Sequence, residues 1–99
     1  MMIEAVCTLE IGISCGREAL LAARLTPLLD RLALIEKCVG YTVSPVSADS
    51  GKLVVSGFWE CKSAMDEHFN SSDMSDLIAV LTEMGTNVIF GNFSLRAAA

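Results

Sequence analysis

The chain has 99 residues, of which 53% are hydrophobic and 19% are charged, and its formal net charge is −5. A chain of this length forms one domain, and we take residues 1–99 as that domain, with an ordered core of about residues 2–94. The acidic balance without a basic stripe argues against nucleic-acid binding, because phosphate contacts need clustered Lys and Arg. The apolar fraction exceeds the roughly 45–50% of a typical globular domain, which argues against disorder.

The N-terminus and the cysteines indicate where the protein works. The first six residues contain no basic region before an apolar run, and no apolar segment approaches the roughly 20 residues of a membrane-spanning helix. The cysteines, Cys7, Cys15, Cys38 and Cys61, form no Cys-x-x-Cys pair, and a single His adds little to them as a metal set. We therefore expect a cytoplasmic protein with reduced thiols and without a metal, a membrane partner or a nucleic-acid partner.

The first elements are a strand and a helix. Apolar residues alternate over residues 3–11, which predicts a strand with one apolar face and one mixed face. A turn follows at residues 12–16, with Ser14 as a candidate helix N-cap. Apolar residues then recur at helical spacing from Leu21 to Ile35, with Leu28 on that face. Pro27 lies inside this stretch, so we expect a kink there or two shorter helices.

Two strands joined by a hairpin come next. Residues 38–44 predict the first, with Val39, Tyr41 and Val43 on one face, and residues 45–51 supply Ser, Pro, Asp and Gly for the turn. Residues 52–60 predict the second strand, and its apolar face ends at Trp59. The residues on that face are Leu53, Val55, Gly57 and Trp59.

The last third of the chain predicts two helices and a strand. Ser63, with Asp66 three residues later, is typical of the N-cap of a short helix that contains His68. Residues 70–73 break this helix and cap a second one, and Gly85 stands where a left-handed C-cap belongs. Residues 86–94 form the fourth strand, with Val88 and Phe90 on one face.

The order of elements is βαββαβ, which predicts a ferredoxin-like α+β fold, a four-stranded antiparallel sheet with its helices on one face. The helices cover only that face, yet apolar residues occur on both, among them Val6, Val54 and Phe58. A second copy packed sheet to sheet would cover the exposed face, and twofold symmetry is the commonest form of assembly. We therefore expect a homodimer through the sheet face.

The stretch around the single Trp and the single His resembles the antibiotic biosynthesis monooxygenase family. The residues that match the pattern of that family are Trp59, Glu60, Ala64, His68, Ser71 and the Cys38–Tyr41 stretch. With the order of elements, the resemblance covers residues 2–94. It implies a dimeric α/β barrel, and it allows several activities, because the family contains oxygenases, isomerase-like proteins and members without a known reaction.

The chain departs from the pattern of that family at several positions. Gly57 stands where members commonly have Glu, and Lys37 stands where they usually have Gly. In the cofactor-free anthrone oxygenase branch the Trp works with an Asn, a Tyr and an Arg. The matching positions here are Val55, Met65 and roughly Ala79, so Trp59 alone is shared. The residues that haem-degrading relatives use are also missing, so we expect no haem.

The candidate catalytic residues are His68 and Trp59. His68, with an ordinary pKa near 6.5, is suited to remove a proton from a phenol, quinol or enol near neutral pH. Trp59 offers an apolar wall and an N–H for a substrate oxygen. The candidate pocket residues are Tyr41, Met65, Phe69 and Asn92. A structural reading stays open for each of them: a histidine that fixes a turn, and core or sheet positions for the others.

Two functions follow from these residues. The first is a cofactor-independent monooxygenase acting on a small hydroxylated aromatic, quinol or enolic metabolite, with no cofactor. The alternative is a non-catalytic dimeric α/β-barrel protein that binds a small apolar ligand, which the apolar residues at Val55 and Met65 favour. The surroundings of His68 discriminate between the two. A cavity shared with Tyr41 or Asn92 favours the enzyme, and ring nitrogens bonded to the backbone at the Asn70–Ser71 turn favour the binding protein.

Overall fold

The computed structural model describes residues 2–14, 16–46 and 51–94. In chain order, the elements of this part are β1 (Ala5–Gly12), α1 (Glu18–Ala33), β2 (Cys38–Pro45), β3 (Lys52–Trp59), α2 (Lys62–His68), α3 (Ser72–Met84) and β4 (Thr86–Ser94). Most of the predicted hairpin turn between β2 and β3 lies outside the described residues, and so does Cys15.

The four strands form one antiparallel sheet in the order β2-β3-β1-β4. Along β1 and β3, every second residue is buried and the intervening ones are half-buried or exposed. The buried set faces the helices, because it joins α1 and α3 in one apolar cluster. The ferredoxin-like α+β fold predicted from the sequence is therefore confirmed, with helices on one face of the sheet.

The main core lies between that face of the sheet and the helices α1 and α3. Its fully buried members on the strands are Leu9, Ile11 and Val55, and those on the helices are Leu21, Leu25, Leu32, Met74, Leu77 and Leu81. Fully burying a side chain of this size contributes about 1.5–3 kcal/mol relative to leaving it exposed. The two helical stripes are thus the main attachment of the helices to the sheet.

Helix α1 is a single helix, so the expectation of two shorter helices was wrong. Pro27 lies within it and lacks the amide that would bond to the carbonyl of Ala23. Both residues are exposed, so water can bond to that carbonyl. Leu25 and Leu29, on either side of the proline, are buried against the sheet and hold both halves of the helix in place. The sequence predicted Leu28 on the buried face of the helix, but Leu29 lies there instead and Leu28 is half-buried.

Neither of the two predicted serine caps, at Ser14 and Ser63, forms. The N-cap position of α1 is Arg17, whose backbone N–H donates to the carbonyl of Ser14 at 3.1 Å. Ser63 lies inside α2, because that helix begins three residues after the end of β3, with Cys61 at its N-cap position and no side-chain hydrogen bond to the first backbone N–H groups of the helix. Both helices start where the chain must turn back over the sheet, and that constraint overrides the local capping signal.

At the ends of α3, the predicted N-cap is confirmed and the predicted left-handed C-cap is wrong. Ser71 caps the helix as expected, because its Oγ accepts a hydrogen bond from the backbone N–H of Met74 at 3.1 Å. Gly85 is not a left-handed C-cap, because its φ is −123°, an extended conformation. Glycine fits there for another reason. A Cβ at this position would lie 2.8 Å from Cδ1 of Ile11 and 2.9 Å from the carbonyl oxygen of Gly12.

The strand β2 contains an irregularity that alters one predicted face. Cys38 pairs with Trp59, and the next pair joins Gly40 to Phe58, so Val39 is an extra residue in β2. Cys38 therefore shares the helix-facing side with Tyr41 and Val43, and the placement of Val39 on that side was wrong. The bulge lies two residues before Tyr41, which belongs to the candidate site.

Two leucines on α1 allow a matched test of this packing. Leu25 is fully buried, whereas Leu20 is 54% exposed. Leu25→Ala removes methyl groups from a closed core and should lower the free energy of unfolding by about 2–5 kcal/mol. Leu20→Ala should change it by less than about 0.5 kcal/mol. Urea denaturation of both variants measures the difference, and equal losses would contradict the assignment of the buried stripe.

Candidate functional site

Five of the six predicted site residues meet where β3 ends and α2 covers the sheet. Trp59 is completely buried, and its ring centroid lies 4.3 Å from that of His68. Tyr41 stands edge-on to Trp59, with the ring centroids 6.2 Å apart and the planes at 88°. The ring of Phe69 lies 4.5 Å from His68, and Met65 is buried in the same cluster. We call these five residues the aromatic cluster.

The sixth predicted residue, Asn92, lies apart from the aromatic cluster. It belongs to the edge strand β4, where it pairs with Cys7 of β1, and its side chain is exposed. Cys7 faces the helices, so Asn92 is on the correct side of the sheet, beyond the cover of the helices. The structure does not bring it to His68.

The hydrogen bonds of His68 fix its tautomer. Nδ1 bonds to the backbone carbonyl of Met65, one turn earlier in α2. A carbonyl oxygen can only accept, so Nδ1 carries a proton, and in the neutral imidazole Nε2 then has the lone pair. The hydroxyl of Tyr41 lies 2.5 Å from Nε2 and donates to it in that form. The imidazole is thus held from both sides, by its own helix and by the sheet.

A third group continues this chain of hydrogen bonds into the sheet. The Sγ of Cys7 lies 3.3 Å from the hydroxyl oxygen of Tyr41. Since the tyrosine proton is directed at His68, the thiol is the donor of this weaker bond. The sequence showed Cys7 only as a small buried apolar residue, because nothing in its spacing indicates contact with a residue 34 positions away.

Burial keeps all three groups in their neutral forms. It lowers the pKa of His68 below its ordinary value, opposed by the hydrogen bond to the Met65 carbonyl and by the charge of Asp66. Burial likewise raises the pKa of Tyr41, with the neighbouring Cys7 as the next cause, and it raises the pKa of the Cys7 thiol. A neutral histidine with an accepting nitrogen is the form that a general base requires.

The indole N–H of Trp59 is the exception in this cluster. It is buried, and no group among the described residues accepts a hydrogen bond from it in good geometry. It lies close enough to the Cys7 thiol and the Tyr41 hydroxyl to oppose the rise in the pKa of both. A buried donor without an acceptor costs about 1–3 kcal/mol, so it is a group that a ligand oxygen could satisfy.

A cavity of about 560 Å³ lies next to His68, between the α1–β2 connection, α2 and the start of α3. Its wall includes Ile35, Lys37, Cys61, Glu67, His68 and Asp73. Of the predicted site residues, His68 alone lines it, and the rest of the aromatic cluster lies behind that residue. The sequence did not indicate Lys37, which takes a left-handed conformation at φ 74° on the rim.

Solved structures with the same architecture cover nearly the whole chain. A candidate antibiotic biosynthesis monooxygenase from Deinococcus radiodurans is 18% identical, with a TM-score of 0.79, over 96% of this chain and 95% of its own. Rv0793 from Mycobacterium tuberculosis is 22% identical, with a TM-score of 0.77, over 96% and 97%. The chain shares its fold with these structures. A further structure named antibiotic biosynthesis monooxygenase is 14% identical, with a TM-score of 0.72, over 96% and 99%.

These likenesses concern the fold alone, because all the identities are low. No protein-family model matches the chain, and no curated protein is significantly similar to it in sequence. The fold of the single chain is therefore confirmed, while its pairing into a dimeric barrel and the roles of the site residues stay predictions.

The part of the chain that the structure describes offers neither a metal-binding cluster nor a membrane-spanning helix. Across residues 2–14, 16–46 and 51–94, no group of three or more His, Cys, Asp and Glu side chains is placed to hold a metal ion. No helix in the same part of the chain is long and apolar enough to cross a membrane.

The burial of His68 predicts how the protein responds to pH. The folded-state pKa lies below the ordinary 6.5, so the unfolded chain binds the proton first as the pH falls. The free energy of unfolding should therefore decrease as the pH falls from about 6.5 through the folded-state pKa. NMR titration of the single histidine measures that pKa directly, and urea denaturation between pH 8 and pH 5 measures the loss.

His68→Gln is the control for this measurement, because it lacks the titrating group and should lose that part of the pH dependence. A histidine midpoint at or above 6.5 in the folded protein would contradict the buried, neutral imidazole.

Proposed function

We propose that the protein is a cytoplasmic, cofactor-independent monooxygenase that acts on a small hydroxylated aromatic, quinol or enolic metabolite. The observation that carries this proposal is the buried, neutral His68 at the wall of a 560 Å³ cavity. The fold, which it shares with proteins named antibiotic biosynthesis monooxygenases, supports the same reaction class.

The proposed reaction needs a base and a dry site rather than a metal or flavin. The Nε2 lone pair of His68 takes the proton of the substrate hydroxyl after the Tyr41 hydroxyl has turned away from it, and the substrate is left as an electron-rich anion. Tyr41, whose hydroxyl can accept as well as donate, then stabilises the imidazolium. The anion reacts with dioxygen at an activated carbon. An activated CH₂ group plus O₂ then gives a C=O group plus H₂O, so the substrate itself supplies all four electrons.

A second function is favoured by a different observation. Both ring nitrogens of His68 already have protein partners, Tyr41 and the Met65 carbonyl. Neither Tyr41 nor Asn92 lines the cavity, so the arrangement that would favour the enzyme is not the one observed. A histidine held in this way is also typical of a structural residue that ties a helix to a sheet. The alternative proposal is therefore a non-catalytic α/β-barrel protein that binds a small apolar ligand in the same cavity.

We also propose that two copies pair through the sheet face opposite the helices. That face carries apolar side chains on several strands: Val6, Val54, Phe58, Ile89 and Phe93. Ile89 and Phe93 are 57% and 55% exposed in the single chain. A second copy supplies a matching apolar face, and a closed twofold pair leaves no further copy to recruit.

Oxygen consumption in chelator-treated buffer tests the enzymatic proposal. The substrates are anthrones, quinols and catechols, and the variants are His68→Ala and Asp30→Asn. A general base contributes about 10²- to 10⁴-fold to the rate, so His68→Ala should lose at least about 100-fold while it stays folded by circular dichroism. Asp30→Asn, an exposed change on α1, should keep the wild-type rate.

Two results would count against the monooxygenase. One is undiminished turnover in folded His68→Ala protein. The other is an absence of turnover by the wild type on every substrate, together with quenching of Trp59 fluorescence on addition of the same compounds. The second result would instead support the ligand-binding protein.

The dimer can be tested by placing a charge on the sheet face. Phe93→Glu adds a carboxylate to the proposed interface from both copies, so it should convert the dimer to a monomer. Leu34→Glu, at a residue 85% exposed after α1, should leave the dimer intact. Sedimentation equilibrium of the three proteins measures the mass, and a monomeric wild type at about 50 μM, a concentration at which even micromolar dimers persist, would refute the proposal.

A further inference from the structure

One row of residues across the sheet places the hydroxyl of Tyr41 next to His68. Tyr41 on β2 pairs with Gly57 on β3, and Gly57 pairs with Cys7 on β1. All three face the helices. The tyrosine ring lies over Gly57 and extends to Cys7, where its hydroxyl meets the thiol and the imidazole.

The ring can lie there only because Gly57 has no side chain. A Cβ at Gly57 would be 2.4 Å from Cζ of Tyr41, 2.6 Å from its Cε1 and 2.8 Å from its hydroxyl oxygen. Contacts this short are far inside van der Waals distance, so any other residue at this position would displace the ring. The displaced part would be the end that carries the hydroxyl.

We infer that Cys7, Gly57 and Tyr41 form a positioning unit for His68. Gly57 leaves the space for the ring, Cys7 holds the hydroxyl from the sheet side, and the hydroxyl orients the imidazole. Tyr41 is absent from the wall of the cavity, so it acts on a substrate through His68 rather than by contact. This inference rests on the proposed function only where it concerns rate; the geometry can be tested without any turnover.

Among the described residues, no charged group replaces Tyr41 as the hydrogen-bond partner of His68 Nε2. The imidazole bonds to Tyr41 from β2 and to the Met65 carbonyl of α2, and Cys7 from β1 bonds to the Tyr41 hydroxyl. Asp66 acts on it from the same helix by charge alone. The other charged groups, Glu36, Lys37, Glu67 and Asp73, line the cavity. None of these makes a hydrogen bond to Nε2, so the Tyr41 hydroxyl is its sole described partner among residues 2–14, 16–46 and 51–94.

The ¹⁵N resonance of His68 Nε2 tests the geometry. The chain contains one His, so the signal is unambiguous, and at pH 8 the ring is neutral. An accepted hydrogen bond moves this resonance upfield from that of a free pyridine-type nitrogen. We expect the upfield, hydrogen-bonded resonance in the wild type and the resonance of a free nitrogen in Tyr41→Phe and Gly57→Ala. In Cys7→Ala we expect a resonance that lies between these two. Nδ1, bonded within α2, should stay protonated throughout and serve as the internal reference.

Gly40→Ala is the matched control. It lies on the same strand, one residue before Tyr41, and a Cβ there meets nothing within 4 Å. It should keep the wild-type resonance. An unshifted wild-type Nε2 would overturn the role of Tyr41, and a shifted Nε2 in Gly57→Ala would overturn the role of Gly57.

A double variant covers the case in which Gly57→Ala fails to fold. If the collision with the ring is the cause, Gly57→Ala/Tyr41→Ala should be as stable as Tyr41→Ala alone. A double variant that is less stable by the full cost of Gly57→Ala would show two independent effects and contradict the positioning unit.

The rate is the second readout. A misplacement of about 1 Å can cost about 100-fold, so kcat of Gly57→Ala and Tyr41→Phe should fall roughly 10- to 100-fold, with KM within about twofold. A merely structural role would lower the amount of folded protein and leave kcat per folded molecule unchanged, which would overturn the inference. If the wild type consumes no oxygen, the monooxygenase fails while the resonance of Nε2 still decides the geometry.

Discussion

The burial of one face of β1 and β3 is the constraint on which the rest of the structure depends. Every second residue along these two strands is buried under the helices, and a shift of one residue would turn that whole set to the other side. The register is therefore strongly specified. It also brings Cys7, Gly57 and Tyr41 into one row, so the same apolar packing that stabilises the sheet determines the surroundings of His68.

The candidate site places a series of hydrogen-bonded polar side chains inside this apolar core. Cys7, Tyr41 and His68 are all neutral, and each donor has an acceptor, so their burial avoids the cost of a buried charge. The Trp59 N–H is buried without an acceptor in good geometry, and it is adjacent to this chain.

The sequence predicted the parts of the fold that depend on periodicity. The alternation in β1 and β3 identified the buried face, and the change of period after Trp59 placed His68 on a helix next to the sheet. The failures lie where packing overrides a local signal. Pro27 does not divide α1, because leucines on both sides are held by the sheet. Gly85 is needed for a close approach to β1 rather than for a left-handed turn, and that approach cannot be read from the chain.

The network around His68 could be predicted only in part, for a related reason. The meeting of Trp59 and His68 follows from their positions on consecutive elements, but the contact between Cys7 and Tyr41 depends on a missing Cβ on the strand between them. The bulge at Val39 likewise shifts β2 by one residue just before Tyr41. Successive residues of a strand point to opposite faces of the sheet. The same strands therefore supply both the residues proposed to pair two copies and those proposed to position His68. Either set of residues can change in sequence without changing the other, although both depend on one strand register.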